Sequence, residues 1–125
     1  MSAFPSRVIH VVDDDDDVRD SLRALLEAFG FTVRTFASAA EILGAGEDAD
    51  CLLVDLHMPG MSGLEFLELL RARDIQTPAI VVTANGEKLG PRMARAGVLK
   101  TLHKPVGDDE LLEWIERACA QKIPL

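Results

Sequence analysis

Five polar residues of this 125-residue chain each stand at, or just past, the end of an apolar and strand-like run of sequence. They are Asp13, Asp14, Asp55, Thr83 and Lys104. Carboxylates that lie close together repel one another, and a hard divalent cation such as Mg²⁺ relieves that repulsion. A carboxylate beside Mg²⁺, with an ammonium group and a hydroxyl nearby, is suited to accept a phosphoryl group. The five residues would form such a site if the fold brought them together.

The runs that carry these residues belong to a regular alternation of strand-like and helix-like segments. Strands are predicted at residues 7–12, 31–36, 51–55, 78–83 and 99–102. Helices are predicted from Val18 up to a glycine cap at Gly30, and at residues 39–43, 64–70, 91–96 and 108–120. Strict alternation indicates parallel strands joined by helical crossovers, and the continuous apolar runs indicate strands covered on both faces.

This alternation predicts an α/β fold with a single domain over residues 1–125. The sheet is expected to be doubly wound and flavodoxin-like, with five parallel strands in the order 2-1-3-4-5. In that order the first, third, fourth and fifth strands are consecutive neighbours. Ligands of such sheets bind beyond the carboxyl ends of the strands. We therefore expect the three carboxylates, the Thr83 hydroxyl and the Lys104 ammonium group to converge at one edge of the sheet.

Composition and charge exclude several classes of function. Thirteen Lys and Arg against 21 Asp and Glu give a net charge of −8, which disfavours direct binding to nucleic acid or to anionic membranes. The acids at residues 15–17 are predicted to be a solvated helix start. Because no apolar segment has the length of a signal peptide or a membrane helix, we expect a soluble, cytoplasmic domain. Cys51 and Cys119 are expected to be buried free thiols.

Four segments together resemble the receiver domain of bacterial response regulators. They read Val-Val-Asp-Asp at 11–14, Leu-Leu-Val-Asp-Leu-His-Met-Pro-Gly-Met-Ser-Gly at 52–63, Val-Val-Thr-Ala at 81–84 and Lys-Pro at 104–105. The resemblance covers about residues 6–121. It implies a phospho-accepting switch of a two-component or phosphorelay pathway, phosphorylated by a sensor histidine kinase or a histidine phosphotransfer protein. It also implies that the domain is no enzyme beyond catalysing its own phosphorylation and dephosphorylation.

The resemblance further implies which residues bind the metal ion. Asp14 and Asp55 would bind Mg²⁺ directly. The backbone carbonyl of His57 would be the third protein ligand, while its side chain would face solvent. Asp13 would assist through a water molecule.

The resemblance also implies which residues contact the phosphoryl group beside this ion. Asp55 would be the phospho-acceptor. Thr83 would hydrogen-bond a phosphoryl oxygen, and Lys104 would pair with the phosphoryl charge. The peptide bond between Lys104 and Pro105 would be cis, a form that is almost confined to proline.

Two departures from the family pattern fall on the face formed by the fourth helix, fifth strand and fifth helix, through which an effector domain or partner protein would be contacted. Receivers usually carry Tyr or Phe three residues before the lysine, where this chain has Thr101. Gly90 and Pro91 are expected to shorten the fourth helix and leave residues 87–90 as loop. Trp114 on the last helix is either an anchor for a partner or an edge of the core.

We predict intact phosphorylation chemistry with an unconventional output. The alternative is a pseudo-receiver that acts as a phosphorylation-independent interaction module.

Other sites built from similar residues do not fit this chain. A haloacid-dehalogenase-like phosphatase needs a second Asp two residues after its nucleophile, where the chain has His57. A flavodoxin needs a Ser/Thr/Gly loop after the first strand, where the chain has aspartates. An EF-hand loop beginning at Asp13 would have Val18 in place of its glycine and Ala24 in place of its bidentate glutamate.

Overall fold

The computed structural model of the chain describes residues 7–46 and 48–121. The strands are β1 Val8–Val12, β2 Thr32–Phe36, β3 Cys51–Asp55, β4 Ala79–Thr83 and β5 Val98–His103. The helices are α1 Asp16–Ala28, α2 Ala39–Ala45, α3 Gly63–Ala72, α4 Pro91–Arg95 and α5 Asp108–Gln121. The first six residues, to which the expectation about a signal peptide refers, lie outside the described residues, as do the two ends of the predicted domain.

The five strands form one parallel sheet in the order β2-β1-β3-β4-β5. This confirms the predicted fold class, strand order and doubly wound topology. The register also fixes which strand ends are neighbours. Val12 pairs with Val54, so the residues that follow them, Asp13 and Asp55, come side by side. On the other side of β3, Asp55 pairs with Val82.

Successive side chains of a strand point to opposite faces of the sheet, so both faces carry apolar side chains. Helices cover each of these faces. One apolar cluster joins the sheet to α1 and α5 through residues that include Leu26, Leu111 and Ile115. The other joins it to α2, α3 and α4 through residues that include Phe66 and Leu67. Within the described part of the chain, no helix combines the length and the apolar character needed to cross a membrane.

Local signals explain where the elements begin and end. α1 starts two residues earlier than its apolar periodicity indicates, because Asp15 caps it: the Asp15 side chain accepts hydrogen bonds from the backbone N–H groups of Asp17 and Val18. The run of acids is therefore a helix start, as predicted. α4 has five residues and begins at Pro91 after a loop at residues 84–90, which confirms the predicted shortening. β5 is longer than predicted because it pairs with β4 as far as His103.

Two further predictions concern residues that pack around the α5 side of the molecule. Cys51 and Cys119 are both free and buried, as predicted. Trp114 packs against the cluster shared by α1 and α5, so it forms an edge of the core. Its ring also lies beneath two cations, with Lys100 Nζ 5.3 Å and the Arg117 guanidinium 4.7 Å from the ring centre.

Candidate functional site

Three carboxylates meet at the carboxyl edge of the sheet, beyond β1 and β3. Asp13, Asp14 and Asp55 each offer an oxygen, and these oxygens all lie within 4.8 Å of one another. Asp13 is 2% exposed and Asp55 is 6% exposed, while Asp14 lies at the open side of the cluster. The structure thus brings together the three carboxylates that were predicted to converge at this edge.

The backbone between β3 and α3 holds Asp55 closely. The N–H of Gly63 donates a hydrogen bond of 2.9 Å to the carbonyl of Leu56, which folds the start of α3 back onto the end of β3. A Cβ atom at Gly63 would clash with the carbonyl oxygen of Asp55 and with the Val54 side chain. Glycine at this position therefore lets the helix begin against the strand that carries Asp55.

Asp13 is fixed from three sides. Its Oδ1 accepts a hydrogen bond of 2.9 Å from the backbone N–H of Asp15, and its Oδ2 accepts one of 3.0 Å from Lys104 Nζ. The Arg19 guanidinium on α1 donates to the Asp13 carbonyl oxygen at 2.6 Å. Both carboxylate oxygens of Asp13 thus already accept from protein donors, which suits a residue that reaches an ion through water.

Lys104 reaches across the site from the end of β5. Its Nζ lies 3.0 Å from Asp13 Oδ2 and 3.5 Å from Asp55 Oδ2. Burial disfavours the ammonium charge, but the hydrogen bond with Asp13 and the charges of Asp13 and Asp55 outweigh it, so the pKa of Lys104 is raised above its usual value. The Lys104–Pro105 peptide bond is cis, as the resemblance implied.

Asp55 is the carboxylate whose protonation the site changes most clearly. Burial, followed by the negative charge of Asp13, raises the pKa of Asp55 from 3.8 to about 6. The Lys104 charge and the hydrogen bond from the backbone N–H of His57, 3.3 Å from Asp55 Oδ1, act in the opposite direction without cancelling these effects. The Lys104 ammonium group therefore does not offset the combined effect of burial and the Asp13 charge on Asp55.

These residues fit a bound Mg²⁺. The donor set consists of hard oxygen atoms, which Mg²⁺ prefers, and the open position of Asp14 leaves room for the water molecules that this ion keeps. Burial and, after it, the charge of Asp13 raise the pKa of Asp55, and a divalent cation beside the carboxylate would oppose both effects by stabilising its ionised form.

The Thr83 hydroxyl and the His57 ring both contact Glu87 in the loop between β4 and α4, and the hydrogen bonds found among the described residues link neither side chain to the carboxylates. The buried Thr83 hydroxyl donates to Glu87 Oε1 at 3.1 Å and accepts from the backbone N–H of Asn85 at 3.1 Å. The His57 ring Nε2 contacts Glu87 Oε2. Burial opposes the charge on Glu87, but the bonds from His57 and Thr83 outweigh it and lower the pKa of Glu87.

The contact with Glu87 adds to one prediction. The His57 side chain is exposed, in keeping with the predicted solvent-facing orientation, and it also pairs with a carboxylate. The pairing was missed because it joins two loops 30 residues apart, and no spacing in the sequence connects them. Arg19, which holds the Asp13 backbone, was also missed; its place on the first turn of the helix after the acids is the signal that could have found it.

Comparisons with known proteins agree with this geometry. The family model of the response regulator receiver domain matches residues 9–116. The transcriptional regulatory protein FixJ of Azorhizobium caulinodans is 42% identical over 107 residues, which are 83% of this chain and 51% of that protein. The chain thus spans about half the length of this relative.

Solved structures give the same assignment. The crystal structure of FixJ-N has a TM-score of 0.85 at 35% identity, covering 98% of this chain and all of that one. The response regulator StyR has a TM-score of 0.86 at 37% identity, covering 94% of this chain and 61% of that one. The match over most of the chain, the strand order and the acidic cluster lead to one conclusion: the chain belongs to the receiver domains of two-component response regulators.

Proposed function

We propose that the chain is a phospho-accepting switch in which Asp55 takes a phosphoryl group from a phosphohistidine. The donor would be a sensor histidine kinase or a histidine phosphotransfer protein. The observation that carries the proposal is Lys104, whose Nζ lies within 3.5 Å of oxygens of both Asp13 and Asp55. A cation held beside the acceptor carboxylate is positioned to pair with the charge of an incoming phosphoryl group.

The chemistry needs few groups besides the acceptor. An oxygen of Asp55 forms a bond to phosphorus while the phosphorus–nitrogen bond of the phosphohistidine breaks, and the electron pair of that bond returns to the imidazole. Lys104 pairs with the phosphoryl charge, and the Thr83 hydroxyl donates to a phosphoryl oxygen. Attack of water on phosphorus later restores the Asp55 carboxylate and releases phosphate. In this proposal the domain catalyses these two steps on itself and no others.

Four groups of the chain would hold Mg²⁺: the carboxylates of Asp14 and Asp55 and the carbonyl of His57 directly, and Asp13 through water. Bound there, the ion would neutralise the clustered charge and the charge that develops on the transferred group. The engagement of both Asp13 oxygens by Asp15 and Lys104 supports the indirect role of that residue.

The whole protein's output is part of the proposal. We place the contact with an effector domain or partner on the face of α4, β5 and α5, where the Trp114 ring on α5 lies next to the cations of Lys100 on β5 and Arg117 on α5. The net charge of −8 supports a domain that itself contacts neither nucleic acid nor membrane.

The proposal is tested by incubation with acetyl phosphate and Mg²⁺, followed by intact-mass measurement. The wild-type chain should gain one phosphoryl group as the phosphorus–oxygen bond breaks and acetate leaves. Asp55→Asn should gain none. Asp20→Asn, the same change on the exposed part of α1, is the matched control and should behave like the wild type.

A pseudo-receiver, acting without phosphate, is the second candidate. The buried Thr101 in place of an aromatic residue favours it, since β5 then lacks the side chain that reports phosphorylation in the family. An absence of mass gain in the wild type at millimolar donor would favour this candidate and reject the first.

A further inference from the structure

The two carboxylate oxygens of Glu87 contact two different residues, Thr83 and His57, which flank the proposed phospho-acceptor Asp55. One oxygen accepts the Thr83 hydroxyl at 3.1 Å, and the other contacts the ring of His57. Thr83 ends β4, while His57 lies two residues past the end of β3, so a single side chain of the 84–90 loop ties together two strand ends. This loop tie, formed by Glu87, Thr83 and His57, lies beside the carboxylate cluster and is separate from it.

The loop tie occupies the hydrogen-bonding capacity of Thr83. A threonine hydroxyl has a single proton to donate. That proton is directed to Glu87, and the oxygen accepts from the backbone N–H of Asn85. Thr83 therefore has no second proton for a phosphoryl oxygen while the bond to Glu87 persists. A phosphoryl group on Asp55 and the carboxylate of Glu87 would compete for the same donor.

We infer that Glu87 is a positioning residue that holds Thr83 and His57 in the unphosphorylated arrangement, and that phosphorylation releases it together with the 84–90 loop. The inference rests on the proposed function and deepens it. It supplies a reporter that β5 lacks, because Thr101 stands where an aromatic side chain would couple to Thr83. A ligand shifts a two-state element only through contacts that differ between the states, and the Thr83 hydroxyl makes such a contact.

Two substitutions separate the hydrogen bond from the charge. Glu87→Ala removes both, while Glu87→Gln removes the charge and keeps an amide oxygen that can accept from Thr83. Glu116→Ala removes a carboxylate from the exposed side of α5 and serves as the matched control. Glu87 lies in a loop and none of its atoms is needed by the core clusters, so the variants should fold.

Beryllofluoride with Mg²⁺, a stable mimic of a bound phosphoryl group, is the probe. Without its competitor, Thr83 is available at once, so Glu87→Ala should bind the probe about tenfold more tightly than the wild type. Glu87→Gln should remain close to the wild type, as should Glu116→Ala. In a Thr83→Ala background the gain from Glu87→Ala should vanish. A gain that is equal in Glu87→Gln, or that persists without the Thr83 hydroxyl, would mean simple charge repulsion and would overturn the inference.

Hydrogen exchange gives a second readout. In the metal-free protein without the probe, exchange at residues 84–90 should be faster in Glu87→Ala than in the wild type. Beryllofluoride added with Mg²⁺ should bring the wild type to the same faster exchange. If the wild type binds the probe and Glu87→Ala changes neither affinity nor exchange, the inference fails and the proposed function stands. If the wild type takes up neither the probe nor a phosphoryl group, both fail.

Discussion

The two halves of the site are held in different ways. The acidic half consists of Asp13, Asp14, Asp55 and Lys104, which stand at a strand end or within two residues after it, where the sheet brings these ends to one edge. The loop tie consists of Thr83, His57 and Glu87, and it depends on one side chain that bridges two loops. Backbone pairing thus places the charges, while a loop side chain decides what the hydroxyl contacts. The difference indicates that the proposed ion site is built into the fold, whereas the proposed switch depends on a single local contact.

The largest effect is expected from Lys104, which we propose pairs with the charge of the transferred phosphoryl group. Lys104→Met should slow phosphorylation by acetyl phosphate by about 100-fold to 1,000-fold, because it removes the fixed charge beside the acceptor. Mg²⁺ binding should not weaken, since the ion no longer competes with the ammonium group for Asp13 and Asp55. Lys88→Met, in the exposed loop, is the control for both measurements. Equal losses of rate in the two variants would contradict this role.

Mg²⁺ affinity distinguishes the two halves directly. Asp14→Asn should weaken binding by about 10-fold to 100-fold, in the range of changes around metal ligands. Thr83→Ala should leave the affinity unchanged, because the Thr83 hydroxyl is turned toward Glu87. The measurement is calorimetric titration of the unphosphorylated protein. A loss in Thr83→Ala as large as that in Asp14→Asn would remove the proposed separation between ion site and switch.

The smallest effect is the pH dependence of the metal-free protein. Because the pKa of Asp55 rises from 3.8 in its usual setting to about 6 in the folded chain, the folded state binds a proton that the unfolded state has lost within this window. The contribution of Asp55 to stability is therefore present below the window and is lost as the pH rises through it. At pH 7.5, Asp55→Asn should raise the free energy of unfolding by about 1–2 kcal/mol, after allowance for solvent screening.

Denaturant unfolding with and without Mg²⁺ measures this pH dependence. Bound Mg²⁺ requires ionised Asp55, so it should stabilise the wild type less and less as the pH falls through about 6. Asp55→Asn should lose most of that stabilisation at every pH. If the free energy of unfolding of the metal-free wild type rose as the pH increased from 3.8 to about 6, the pKa of Asp55 would not be raised in the folded chain, and this prediction would be wrong.

The fold and the acidic half could be predicted because each rests on a repeating signal. Apolar runs, helical spacing and turn residues gave the strand order, and in a parallel sheet that order determines which strand ends meet. Asp13 and Asp55 followed from that logic alone. The pairing of His57 with Glu87 could not be predicted, since loop side chains 30 residues apart meet according to the path of the 84–90 loop. The residue type of Glu87 does not indicate this contact either, because a glutamate in a loop is ordinarily solvated.

The most direct test of the account locates the phosphoryl group itself. The chain is incubated with acetyl phosphate and Mg²⁺, treated with borohydride to reduce the acyl phosphate, and mapped by peptide mass spectrometry. If Asp55 is the phospho-acceptor, homoserine is expected at position 55, dependent on both the donor and Mg²⁺, with aspartate retained at positions 13 and 14. Reduction at Asp13 or Asp14, or an unmodified Asp55 under these conditions, would contradict it.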